Sequence, residues 1–298
     1  MKKIKLATLL TILLFCIACG GKQTEKKIVT VTIEPQRFFA ERIAGDRFMV
    51  HCMVPSGQSP ETYDPIPKQM VELGKSLAYL QIGHLGFEQA WMQKIRENNL
   101  NLKIFNLSEG MPFIQEVDSV HHHGQDGEEE HTHHTHGVDP HIWSSIVGAR
   151  IIAKNTLNVF IQLDSVHAEF YKKNYAELLE EIDQTETEIR NWLAPLQKRT
   201  FIIYHPALTY LAKEFNLTQL CIEMDGKEPS PALLARLIDT AKEQQVKVVF
   251  IQQEFDKKNA ELIAKETGCC LEVINPLSYH WKRELIHIAK VLADGETN

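Results

Sequence analysis

The sequence predicts an α/β protein with two Rossmann-like lobes, each on a mainly parallel sheet, joined by one long rigid helix. Three observations predict it. Short β-branched runs alternate with helical patterns from residue 28 to about residue 107. The same alternation resumes at residue 200 and runs to the end. Between them stands "DSVHAEFYKKNYAELLEEIDQTETEIRNWLAPL", with a capping residue (Asp164 or Ser165), apolar positions at helical spacing and a terminating Pro195. A helix over 165–193 would be roughly 43 Å long, enough for a spine between two lobes.

In chain order, "KIVTVTI" reads as a strand and "PQRFFAERIAG" as an amphipathic helix closed by Gly45. "FMVHCMV", "LAYLQIG" and "LKIFNL" are further strands, with "PKQMVELGKS" and "FEQAWMQKIRENN" as the helices between them. Residues 143–162 read as a helix. After the spine, "TFIIYH", "TQLCIEM", "VKVVFIQ" and "CLEVIN" are strands. "PALTYLAKEF", "PALLARLIDTAKEQQ", "KKNAELIAKETG" and the C-terminal segment are helices. The organisation expected is a first lobe over 28–163, a linker helix over 164–194 and a second lobe over 195–298.

The 298 residues are 44% hydrophobic and 24% charged, a globular composition, and the net charge of −7 argues against nucleic acid as a partner. The N-terminus stands apart. "MKKIK" precedes the apolar run "LATLLTILLFCIA", which is too short to span a bilayer and fits the core of an export signal over 1–18. The run ends in "CIACGG", which looks like a bacterial lipobox with Cys19 as the lipidated first residue of the mature chain; 19–27 is then a linker to a membrane surface. Cys16 stands where such a motif usually has Leu, and a plain secretory signal is the alternative. Cys52, Cys221, Cys269 and Cys270 contain no CxxC pair, which excludes a zinc ribbon. They are expected to be buried thiols, with at most one disulfide.

The chemistry is expected at the carboxyl ends of the strands, where open α/β sheets place ligands. His205, His84 and Asn275 each close a predicted strand, Glu61 lies in the loop after "FMVHCMVP", and His141 precedes a helix. Glu61 and His141 belong to the first lobe, His205 and Asn275 to the second, so a shared site would lie between lobes. His51, His167 and His287 fall inside strand or helical patterns and read as ordinary hydrogen-bonded residues. A low-complexity segment over 119–137 interrupts the first lobe, with His121, His122, His123, His131, His133, His134 and His136 around three consecutive glutamates. It cannot build a core. It is either a solvated spacer or a collector of cations, whose neutral imidazoles coordinate metal weakly beside the "DPH" that follows. The second reading is preferred.

Four ordered segments carry a resemblance. "VHCMVPSGQSPETYDPIPKQM" is similar to "LvPpGadpHdYePtPsd", "GVDPHIWSS" to "DPHxWldp", "FIIYHPALTYLAKEFNL" to "HpafgYfakryGL", and "VVFIQQEF…LEVINPL" to "vFxEpqf…vldPL". Together they resemble the metal-binding subunits of bacterial ABC importers for zinc and manganese. The resemblance implies two α/β lobes on a long helix and a metal in the interlobe cleft. It also implies a function of capturing Zn²⁺, with Mn²⁺ as the alternative, and passing it to a membrane permease. The protein would be exported, lipid-anchored, monomeric and not an enzyme. The resemblance places the family's four ligands at Glu61, His141, His205 and Asn275, of which Glu61 and Asn275 replace the usual His and Asp. Carboxylate and amide oxygens move such a site toward harder ions, and His84 or water are alternative fourth ligands. An exported metal-dependent hydrolase would need different signals. There is no HExxH, and "HTHGVD" is not HxHxDH. An adhesin or metal buffer without a permease is a third reading.

Overall fold

The computed structural model describes residues 26–115, 137–223 and 228–297. Cys19 and the seven histidines of 121–136 lie outside the described residues. Two four-stranded sheets form. The first contains β1 (Lys27–Val31), β2 (Phe48–Cys52), β3 (Ala78–Gln81) and β4 (Lys103–Asn106), in the order β2-β1-β3-β4. The second contains β5 (Thr200–Ile203), β6 (Thr218–Cys221), β7 (Val248–Gln252) and β8 (Cys270–Ile274), in the order β6-β5-β7-β8. Every pairing within them is parallel. The two sheets therefore share one topology. In each, the strand order reverses between the first and third strands, β1/β3 and β5/β7, which opens a crevice at their carboxyl ends.

The helices are α1 (Glu34–Ala44), α2 (Pro67–Leu73), α3 (Gly86–Asn98), α4 (Ile146–Leu163), α5 (Ala168–Leu193), α6 (Thr209–Glu214), α7 (Pro231–Glu243), α8 (Lys258–Thr267) and α9 (Trp281–Thr297). The expected helix over 143–162 is broken near its start. Ile142–Ser144 form a 3₁₀ turn, and Ser145 then caps α4 by accepting from the Gly148 N–H at 3.0 Å. A Cβ at Gly148 would fall 1.8 Å from the Ile142 oxygen, so the tight junction requires glycine.

The expected spine is α5, preceded by a 3₁₀ turn over Ser165–His167. Its 26 residues span about 39 Å. The buried stripe Tyr171, Leu178, Ile182, Ile189 and Leu193 follows helical spacing and packs on α1 and α4 of the first lobe and on α9 of the second. Arg42 pairs with Glu181 at 2.9 Å, and Lys282 with Glu188 at 3.3 Å, so charges from both lobes also meet α5. At Gly45 the backbone takes φ +56°, and a Cβ there would lie 2.8 Å from the Phe170 ring. Glycine thus serves both the end of α1 and its close approach to α5.

One hydrophobic core runs without interruption from Val29 and Phe39 through Trp143 and Ile182 to Phe201, Phe250 and Trp281. A second, around Ile202, Ile222, Leu234, Val249 and Ile263, fills the other face of the second sheet. The four cysteines after residue 26 are all free. Cys52, Cys221 and Cys269 are half-buried, and Cys270 is exposed, which corrects the expectation of buried thiols throughout. No described helix is long and apolar enough to cross a membrane.

Asp164 fixes the junction between α4 and α5. It accepts from the Tyr171 hydroxyl at 2.7 Å, pairs with His167 Nδ1 at 2.8 Å and meets Lys27 Nζ at 3.2 Å. Burial alone would raise its pKa, but these hydrogen bonds and the Lys27 charge outweigh burial and bring it from 3.8 to about 2. A carboxyl with a depressed pKa in the folded state stabilises above its unfolded pKa and loses that contribution as pH falls through the folded value. Asp164→Asn is therefore expected to cost about 2 kcal/mol near neutral pH, as for a hydrogen-bonded charged group. In urea unfolding followed by circular dichroism, the gap to the unaltered chain should narrow between pH 4 and pH 2.

Candidate metal centre

Two histidines from different lobes meet at the seam. His205 lies two residues beyond β5, and the buried Gln252 at the end of β7 clamps its backbone. The His205 N–H donates to Gln252 Oε1 at 3.3 Å, and Gln252 Nε2 donates to the His205 oxygen at 2.7 Å. His141, only 6% exposed, precedes the 3₁₀ turn of the first lobe. Asp139 Oδ1 accepts from its backbone N–H and also bonds its Nδ1, both at 2.8 Å. Asp139 is tied to the second lobe in turn, because the Tyr210 hydroxyl donates to its carbonyl at 2.7 Å and accepts from the Ile114 N–H at 3.0 Å. Beneath the pair, Trp143 Nε1 donates to the Pro276 oxygen at 3.0 Å and Trp281 Nε1 to the Trp143 oxygen at 2.7 Å.

The Nε2 atoms of His141 and His205 stand 3.1 Å apart. Each ring has a carboxylate at its other nitrogen: Asp139 at 2.8 Å from His141 Nδ1, and Glu223 at 3.2 Å from His205 Nδ1. Carboxylates at Nδ1 select the tautomer with Nδ1–H, leaving a lone pair on each Nε2. At this separation one Nε2–H can donate to the other nitrogen, and with both nitrogens deprotonated a cation can take the proton's place. The separation is close to the roughly 3.3 Å that two imidazoles keep on one tetrahedral zinc.

A cavity of about 20 Å³ lies here, lined among others by Glu61, His141, His205, Glu254, Phe255 and Leu277. That is room for a single water-sized body. Glu254 Oε2 is buried without a hydrogen-bond partner. Burial raises the Glu254 carboxyl above its ordinary range, opposed by its own backbone N–H and by the fields of His205 and His141. Burial also works to raise Asp139, but its interactions with the His141 ring and backbone N–H outweigh it and hold that carboxyl low. Two facing imidazole lone pairs and an unpartnered carboxylate oxygen fit a divalent cation. Among the described residues, no three His, Cys, Asp or Glu side chains already surround a point where an ion would sit. The imidazole pair is set, and the carboxylates stand at its rim.

The structure brings together three of the expected ligands, Glu61, His141 and His205. Glu61 is exposed, and its Oε2 accepts from the Gly86 N–H at 3.1 Å. A Cβ at residue 86 would come within 2.7 Å of the Glu61 carbonyl, so glycine lets the loop lie against the start of α3. Asn275 does not join them. Its Oδ1 accepts from the Leu277 N–H at 3.1 Å, closing a turn, and it lines a separate cavity of about 360 Å³ with Arg283, Glu284 and His287. His84 packs edge-on against Phe113 at 4.5 Å and does not line the histidine cavity. His51, His167 and His287 bond Met49, Asp164 and Glu272, as ordinary polar residues do. Sequence reasoning missed Glu254, Asp139, Glu223 and Gln252. Glu254 had a usable signal: it lies two residues past β7, the neighbour of the strand that carries His205.

Two like-folded lobes on one helix, meeting at a pair of converging imidazoles, define a two-lobed metal-binding protein of the solute-binding class. The family model ZnuA, "Zinc-uptake complex component A periplasmic", matches residues 29–284, and the chain belongs to this family. It is 29% identical over 283 residues to the high-affinity zinc uptake system protein ZnuA of Bacillus subtilis, covering 91% of this chain and 87% of that one. It is 26% identical to the zinc-binding lipoprotein AdcA of Streptococcus pneumoniae over 93% of this chain, but spans only 56% of that longer protein. A crystal structure of ZnuA superposes with a TM-score of 0.82 at 34% identity, covering 91% of this chain and 99% of that one.

Glu223 bonds the His205 ring at Nδ1, on the side away from His141, so it tests how far the ring's orientation matters. Outer-sphere partners of this kind are worth about 10–100-fold in metal affinity. Glu223→Gln should weaken Zn²⁺ binding by that factor in a competitive chelator titration, with the thermal midpoint of the metal-free protein little changed.

Proposed function

We propose that this chain captures Zn²⁺ outside the cytoplasmic membrane and delivers it to the membrane permease of an ABC importer. It is a binding protein and not an enzyme. The observation that carries this is the pair of Nε2 atoms 3.1 Å apart, each imidazole fixed by a carboxylate and each supplied by a different lobe. Mn²⁺ is the alternative cargo, since carboxylate oxygens at the rim suit harder ions.

The N-terminal sequence supports an exported chain anchored through acylated Cys19, with 1–18 removed and 19–27 as a tether. We take the mature protein as a monomer, divided into lobes at 28–163 and 195–298 with the helix region 164–194 between them. The histidines at 121, 122, 123, 131, 133, 134 and 136 collect cations weakly and raise their concentration beside His141.

Competitive titration of the chain from residue 24 onward with Zn²⁺ and Mn²⁺ tests the reading. One tight Zn²⁺ site and several weak ones are expected by metal analysis and calorimetry. His205→Ala should lower the tight affinity at least about tenfold, since even outer-sphere groups are worth that much; an unchanged tight site would reject the assignment. Deleting 121–136 should abolish the weak sites and keep the tight one. Loss of the tight site in that deletion would contradict the role given to the segment.

A further inference from the structure

We infer that Glu254, not Asn275, is the second lobe's oxygen donor, so that each lobe gives the cation one imidazole and one carboxylate. The donor set is then Glu61 and His141 from the first lobe and His205 and Glu254 from the second. The inference rests on the metal-capture reading and names a ligand within it.

Four observations carry it. Glu254 Oε2 is buried and accepts no hydrogen bond, while the carboxylate's one backbone partner is its own N–H. Buried polar atoms are almost always satisfied, and an orphan costs about 1–3 kcal/mol, so this oxygen calls for a partner. Glu254 lines the same small cavity as His141 and His205, so a cation held there would supply that partner. Second, β7 is the direct neighbour of β5 in the sheet. Glu254 and His205 therefore leave adjacent strand ends at the point where strand order reverses, the place where such sheets present ligands. Third, Asn275 is occupied. Its amide oxygen holds the Leu277 N–H at 3.1 Å, its backbone N–H donates to Glu284 Oε1 at 2.7 Å, and it faces the other cavity. Turning it inward would break the turn that carries Pro276, whose carbonyl receives Trp143. Fourth, charge favours it. Glu254 adds a second carboxylate to Glu61 beside the dication, whereas Asn275 would add a neutral amide.

The chemical class of the cargo follows. Two nitrogens and two carboxylate oxygens make a donor set for divalent ions of borderline to hard character, such as Zn²⁺, Co²⁺ and Mn²⁺. It is a poor set for soft Cu⁺, which prefers sulfur.

The test uses the full mature chain with three substitutions: Glu254→Gln, Asn275→Ala and Asn275→Asp. Zn²⁺ affinity by competition calorimetry should fall at least about tenfold in Glu254→Gln and stay within about threefold in both residue-275 variants. With Co²⁺ in place of Zn²⁺, the visible ligand-field bands should shift in Glu254→Gln and not in Asn275→Ala. Glu254→Gln keeps the side-chain shape, and its metal-free thermal midpoint separates lost coordination from lost folding. Zn²⁺ affinity and Co²⁺ bands in Glu254→Gln that match the unaltered chain would overturn the inference and leave the capture reading standing. So would an Asn275→Ala loss as large as that of Glu254→Gln. Failure of the unaltered chain to bind Zn²⁺ tightly would overturn both.

Discussion

Two imidazole nitrogens face each other across a seam between lobes, and most of the polar architecture serves to hold them there. Two free imidazoles would have no reason to keep their Nε2 atoms 3.1 Å apart across a boundary between lobes. Here each ring is pinned from behind by a buried carboxylate, Asp139 or Glu223. Those carboxylates are themselves placed by backbone at the seam. Gln252 ties the His205 main chain to the end of β7. Tyr210 reaches from the second lobe to the carbonyl of Asp139 in the first. The Trp281–Trp143–Pro276 relay does the same beneath the site. The geometry of one atom pair is thus a property of the interlobe seam, and neither lobe specifies it alone.

The two sheets share a strand order, but their crevices are used differently. In the second lobe the ends of β5 and β7 are open and carry His205 and Glu254. In the first lobe the matching crevice between β1 and β3 is filled by its own polar network. Gln36 accepts from the Thr32 and Ile33 N–H groups and donates to the Leu80 carbonyl, while Thr32 bonds Glu88 and Tyr79. Glu88 is 3% exposed, and burial raises its carboxyl above the ordinary range even against its hydrogen bonds. With that crevice occupied, the first lobe's side chains at the small cavity come from loops: Glu61 from the segment after β2, and His141 from the turn before α4. A symmetric fold therefore builds an asymmetric site, with its second-lobe half on strand ends and its first-lobe half on connections.

This asymmetry explains how far the sequence could be read. The alternation of β-branched runs and helical patterns made both lobes and α5 legible, because burial on both faces of a parallel sheet leaves that mark in the residues themselves. His205 was legible for the same reason, as a polar residue closing an apolar strand. His141 and Glu61 depended on the ordered motifs around them, since a loop histidine or glutamate has no periodicity to betray it. Glu254 was hidden by its neighbours in "QQEF", where any of three polar residues could face the cavity. Only the pleat and the turn after β7 decide that Gln252 bonds backbone, Gln253 lines the larger cavity and Glu254 lines the small one. Asn275 shows the opposite case. It stands at a strand end, but its amide closes a local turn, a use that short polar side chains favour after strands.

The same division bears on how an ion enters and leaves. A core continuous through both lobes, with a 26-residue helix packed along both, opposes wide separation of the halves. His141 and His205 are set on that frame by hydrogen bonds to buried groups, and moving either would strip a carboxylate of its partner. Glu61 is different. It is exposed, it sits on a loop, and its fixed contacts are one N–H from Gly86 to its side chain and one backbone bond to Ser59 Oγ. A bond to an exposed loop carboxylate is worth far less than two buried ones, because water replaces it at little cost. The least costly opening of the site is therefore on the Glu61 side.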